Sequence, residues 1–150
     1  MYRIGLLFFS ITAVAGCAGS LAEPQSLDCV ALNKVVDAAS EDFKSISRQR
    51  EITHYGEVKE VKLHAYGKCS VLSTAGKPAV YVCSSKSLNQ QADRALLVDA
   101  AERCLGQGWE RSELPGGGAS FIQNAVKVSV GKTDRQAAHD SSVGLAVRRY

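Results

Sequence analysis

The chain has 150 residues, 45% of them hydrophobic and 22% charged, with a formal net charge of +3. That apolar fraction excludes a disordered polyelectrolyte, and the length suits one domain with one core. The slight positive balance falls short of the footprint of a nucleic-acid binder, so no nucleic-acid partner is expected.

The chain opens with Arg3 and an apolar stretch from Ile4 to Ala15, the pattern of a secretory h-region. It is shorter than the roughly 20 residues of a membrane span. The stretch closes on Val14-Ala15-Gly16-Cys17, which resembles the lipobox of bacterial lipoproteins. The resemblance implies a signal peptide over 1–16, a lipid on Cys17 and a mature chain that begins there. At about 0.8 kcal/mol per buried methylene, several acyl chains on one cysteine make an effectively permanent membrane anchor. Ala18 in place of an aspartate goes, in such lipoproteins, with the outer membrane, here facing the periplasm. The alternative is an ordinary signal cleaved after Ala22, since Ser20-Leu21-Ala22 is a small-residue site, which would leave a soluble periplasmic or secreted protein. Both readings share export, and removing Arg3 lowers the net charge to +2.

Residues 17–27 read as a tether and 28–150 as a single domain. From Asp28 the apolar positions Cys29, Leu32, Val36, Ala39, Phe43 and Ile46 recur at helical spacing, with Ser26 or Asp28 as N-cap and Cys29 on the inner face. Val61-Leu63-Ala65 and Pro78 to Cys83 read as strands around a turn at Ala75-Gly76-Lys77-Pro78. A second helix after Asn89 carries Leu97, Ala100, Ala101, Cys104 and Leu105 inward and stops at Gly106 or Gly108. Trp109 covers its end, and Leu114-Pro115-Gly116-Gly117-Gly118 breaks the chain. Ala119 to Ile122, Val126 to Val130 and Val143 to Val147 read as three more strands, with a polar loop before the last and Arg148-Arg149 on its edge. No internal repeat stands out. The expected fold is therefore α+β: a two-layer sandwich with two helices on one face of an antiparallel sheet, in the order α-β-β-α-β-β-β.

Five cysteines are an odd number, and removing Cys17 leaves Cys29, Cys69, Cys83 and Cys104. In an oxidising compartment these form two bridges, with three possible connectivities. Spacing favours Cys69 with Cys83 across the hairpin, which leaves Cys29 for Cys104 between the helices. One early-helix cysteine, a hairpin pair and Cys104-Leu105 ahead of Trp109 look like a group of small exported bacterial proteins to which no activity attaches.

No motif assembles a reaction. Gly131-Lys132-Thr133 follows a strand, but Val126 stands where a P-loop needs its first glycine. Ser129-Val130-Gly131-Lys132 lacks the helical spacing and companion motifs of serine–lysine enzymes. His54, His64 and His139 have no metal-ligand spacing, and adjacent His139-Asp140-Ser141 is poor material for a triad. Glu41-Asp42 and Glu57 with Glu60 read as solvated charge, while Lys44, Arg48 and Arg50 form the densest basic patch, one that could contact anionic lipid near the anchor. Tyr55 and Tyr66 lie in a polar stretch and are the candidate contact surface, whereas Trp109, Tyr81 and Phe121 suit the core. The expectation is a non-catalytic, envelope-anchored binding module without metal or cofactor, an accessory, inhibitor or immunity-type protein that contacts another envelope protein. The alternative is a small periplasmic hydrolase or ligand-processing enzyme whose site is built from residues distant in sequence.

Overall fold

In the computed structural model, residues 26–53, 56–131 and 142–150 are described. Helix α1 spans Cys29–Ala38 and runs into a 3₁₀ turn at Ala39–Glu41; strands β1 to β4 are Ser47–Thr53, Gly56–Val61, Lys68–Ser73 and Val80–Lys86. Helix α2 spans Gln90–Leu105, followed by β5 Glu110–Leu114, β6 Gly118–Gln123, β7 Val126–Gly131 and β8 Ser142–Arg149.

Helix α1 starts because the Asp28 carboxylate accepts the Ala31 N–H at 3.0 Å, satisfying one of the free donors of the first turn. It buries Ala31, Leu32, Val35 and Ala38. It ends earlier than the apolar spacing predicts. Asp42 and Phe43 take positive φ angles of 54° and 61°, and the Phe43 N–H turns back to Ala38 O at 2.9 Å. Phe43 and Ile46 are buried all the same, as the chain turns from the helix towards β1. Helix α2 is capped by Asn89, whose side chain accepts the Ala92 N–H at 3.2 Å, and stops at Gly106, which has a φ of 73°. Leu97, Val98 and Ala101 form its buried face.

The expected α+β two-layer sandwich of five strands in the order α-β-β-α-β-β-β is corrected. Eight strands form one antiparallel sheet in the order β1-β2-β3-β4-β8-β7-β6-β5, so the fold is sheet-dominated with two helices. β1 and β5 were not legible because Ser47 to Thr53 and Glu110 to Leu114 are mostly polar edge strands without an apolar alternation. The strand assigned to Val61-Leu63-Ala65 is the end of β2, which stops at Val61; Leu63 and Ala65 lie in the connection to β3, and β3 itself, Lys68–Ser73, is a third strand that was not expected. Arg148 and Arg149 are not on an edge either: β8 pairs with both β4 and β7 at the centre. The true edges still carry charge, Arg48 and Glu51 on β1 and Glu110, Arg111 and Glu113 on β5, which discourages further strand pairing.

Alternate strand positions supply the core. Val71, Tyr81, Val147, Val128 and Phe121 stand side by side, and Cys83, Leu145, Val130 and Ala119 form the next row. They share one buried cluster with Leu32, Val35, Ala39 and Phe43 and with Leu97 and Ala101 of α2. Each large apolar side chain in it contributes about 1.5–3 kcal/mol by burial.

The element order is one unit written twice: a helix followed by a four-stranded meander, joined through β4 and β8. Once the structure aligns the halves, the sequence shows the repeat. Val35-Val36-Asp37-Ala38-Ala39 and Leu97-Val98-Asp99-Ala100-Ala101 are 62 positions apart, and the same interval separates the starts of β2 and β6 and of β4 and β8. The similarity is too sparse to stand out unaligned.

Two disulfides cross-link the domain. Cys69 and Cys83 face each other on β3 and β4 with Cα atoms 4.1 Å apart, and Cys29–Cys104 joins the two helices at 4.9 Å. Cys29 is exposed rather than on a buried face; Cys104 is half-buried.

Candidate functional site

A concavity lies where the entrance to α1 meets α2, beside the end of β4, with a volume of about 720 Å³. Tyr66, Leu97 and the Cys29–Cys104 bridge line it, with Leu27 and Ala100; Leu88 and Leu96 add exposed apolar surface. Lys86, Asp93 and Arg103 are its charged groups.

Local chemistry fixes this arrangement. Between β4 and α2 the chain reads Ser87-Leu88-Asn89. The buried Ser87 hydroxyl donates to Asp93 Oδ2 at 2.5 Å and Asn89 caps the helix, so polar bonds on both sides hold the backbone and leave Leu88 turned into solvent. Leu88 is fully exposed, and Leu96 is 60% exposed.

The wall opposite depends on Tyr81. Its ring is buried, and its hydroxyl accepts the Ala65 N–H at 3.0 Å while donating to Leu63 O at 2.9 Å. Burial pushes the phenol up to about 12, against the opposing effect of the Ala65 bond. The same loop is held from the helix side, because the Asp28 N–H donates to Ala65 O at 2.9 Å. Tyr66 is thereby placed at the cleft. Burial, and then the negative charge of Asp93, raise its phenol above the ordinary value, with the Ser85 hydrogen bond acting against them.

The residues singled out from sequence do not converge here. Tyr66, the candidate contact residue within the described chain, is 5% exposed: a core side chain that lines the cleft. Cys17, Tyr55, His54 and His139 lie outside the described residues. His64 is exposed on the β2–β3 connection and does not line the cleft. Glu57 lies 3.9 Å from Lys59 on β2, and Trp109 packs half-buried against the core. Among the described residues no three metal-binding side chains cluster. Leu88 was overlooked, and its only signal is an isolated leucine in the polar run Ser84 to Asn89.

The size suits a side chain cluster or a small apolar ligand with a few polar groups. Comparison of the chain with family models, curated proteins and solved structures found no match.

Proposed function

We propose that the protein is a non-catalytic binding module of the bacterial envelope, attached to the outer membrane through a lipid on Cys17. It acts as an accessory, inhibitor or immunity-type protein on another envelope protein. The observation that carries this reading is Leu88, fully exposed beside Leu96 at the cleft. Leaving a leucine unburied forgoes about 1.5–3 kcal/mol, and grouped exposed apolar side chains mark contact sites more often than chance. Two disulfides support an oxidising compartment, and the lipobox-like Val14-Ala15-Gly16-Cys17 supports the anchor.

Photo-crosslinking from position 88 in the native envelope tests the reading, together with the intact mass of the extracted protein before and after reduction. The expected results are a crosslink to a defined envelope protein, lost on Leu96→Asp, and a lipid-shifted mass beginning at Cys17. Absence of any protein crosslink, or an unlipidated chain beginning near Glu23, would sink the contact and the anchor respectively.

A further inference from the structure

Side chains alternate along each strand, so the core uses one face of the sheet and leaves the other without a covering element among the described residues. On that second face the register aligns Glu51, Val58, Leu72, Val80, Arg148, Lys127, Ile122 and Glu110, one residue from each strand, across the whole sheet. Its middle sets two cations directly opposite each other, Arg148 on β8 and Lys127 on β7. Like charges at such a position destabilise a sheet. The Tyr150 ring lies 5.5 Å from Lys127 Nζ, and among the described residues no carboxylate forms a salt bridge with either cation. On this face the carboxylates Glu51, Glu60 and Glu110 are confined to β1, β2 and β5. The adjacent row, from Ser70 through Val82 and Ala146 to Ser129, is half-buried with no side chain larger than valine; Ser120 at its β6 end is buried, while Gly131 beyond Ser129 has open space above. A protein segment can therefore approach the middle of the sheet closely.

We infer that this open face, centred on Arg148 and Lys127, is the docking surface for an acidic, protruding segment of a partner protein that carries an apolar side chain beside its carboxylates. The inference rests on the binding-module reading. The carboxylates pair with Arg148 and Lys127, and the apolar group packs on half-buried Val58, Leu72 and Val80. A membrane surface or a nucleic acid fits less well. A continuous polyanion would also meet Glu51, Glu60 and Glu110, whereas a segment only as wide as the central strands meets cations alone.

The test uses the full chain with both disulfides, carrying a photoreactive benzoylphenylalanine at position 82 in the native envelope, with the crosslinked peptide sequenced by mass spectrometry. The expected product is a peptide with clustered Asp or Glu at the crosslink. Its yield should fall about tenfold or more in the double variant Lys127→Glu, Arg148→Glu, as truncated or reversed interface charges do. Ser129→Gln, which adds bulk without charge, should lower it as well. If the charge reversal fails to fold, as judged by free thiols and melting, Lys127→Gln with Arg148→Gln takes its place. A crosslink only to lipid or nucleic acid, a peptide without carboxylates, a yield indifferent to the charge change, or no crosslink would overturn the inference. Position 88 separates the two failures: a crosslink there with silence at 82 removes this face and keeps the binding module, and silence at both removes both.

Discussion

The two halves of the molecule solve one construction problem by different means. In the first half β3 and β4 are bridged covalently by Cys69 and Cys83; at the matching place in the second, Val130 and Leu145 meet as an ordinary apolar pair. The first half makes its middle turn with a loop of six residues, 62–67, pinned by the Tyr81 hydroxyl. The second does it with Asn124 and Ala125 alone, both at positive φ, a two-residue turn whose twist matches the strands. A tight turn sets register by itself, whereas a wider loop needs a polar anchor and is helped by a staple. The wider loop also supplies Tyr66 to the cleft, so the half that needs more support is the half that contributes Tyr66 to the candidate site.

Removing the bridges is the strongest way to break this comparison. Cys29→Ala with Cys104→Ala opens the link between the halves, whose cysteines are 75 positions apart, and should cost about 4 kcal/mol on chain-entropy grounds. Cys69→Ala with Cys83→Ala opens a separation of 14 and should cost about 3 kcal/mol. Urea unfolding of the two double variants gives the order. A hairpin variant clearly less stable than the helix variant would mean that Cys69–Cys83 does more for the first half than restrict its unfolded chain.

Tyr81 sharpens the same contrast through pH. Its phenol is neutral in the fold up to about pH 12, while in the unfolded chain it ionises at its ordinary value near 10. Below pH 10 both states hold the proton and the stabilisation is complete. Between 10 and 12 only the unfolded chain releases it, so stability falls through and around that window by about 3 kcal/mol. Tyr81→Phe should flatten this fall. It should also lower stability at neutral pH by about 1–3 kcal/mol, because the Ala65 N–H and Leu63 carbonyl lose their partner. An unchanged alkaline profile in the variant would show that another group governs it.

How much of this was legible in the sequence follows from what each residue had to signal. The start of α1, α2 and its cap, and the strands at Ala119, Val126 and Val143 carry periodicity or capping chemistry in a single stretch of chain. The end of α1 does not, because Phe43 keeps the helical spacing while its backbone leaves the helix at positive φ. The edge strands are polar, and the repeat is diluted by unequal helices of 10 and 16 residues. The candidate site was the least legible part. Its exposed leucine is recognisable only once Ser87 and Asn89 are seen to be fixed on either side, and the open face exists only in the pairing of strands far apart in the chain.

The smallest effect comes from the helix caps, which occupy equivalent places in the two halves. Asp28 lies next to Cys29, so the disulfide already restrains the first turn of α1, and its cap bond is partly buried at 3.0 Å. Asn89 makes an exposed bond at 3.2 Å and begins a helix whose disulfide, at Cys104, lies at the far end. Replacing a capping side chain by alanine typically costs about 1 kcal/mol. Asp28→Ala should reach that value, since a carboxylate also meets the positive end of the helix, and Asn89→Ala should cost about half as much. The smaller loss has the larger local consequence. Freeing the backbone beside Leu88 should speed amide exchange over residues 87–92 and weaken crosslinking from position 88, while the Asp28 variant leaves both unchanged. Equal exchange in the two variants would mean that the Ser87–Asp93 bond alone holds Leu88 in place.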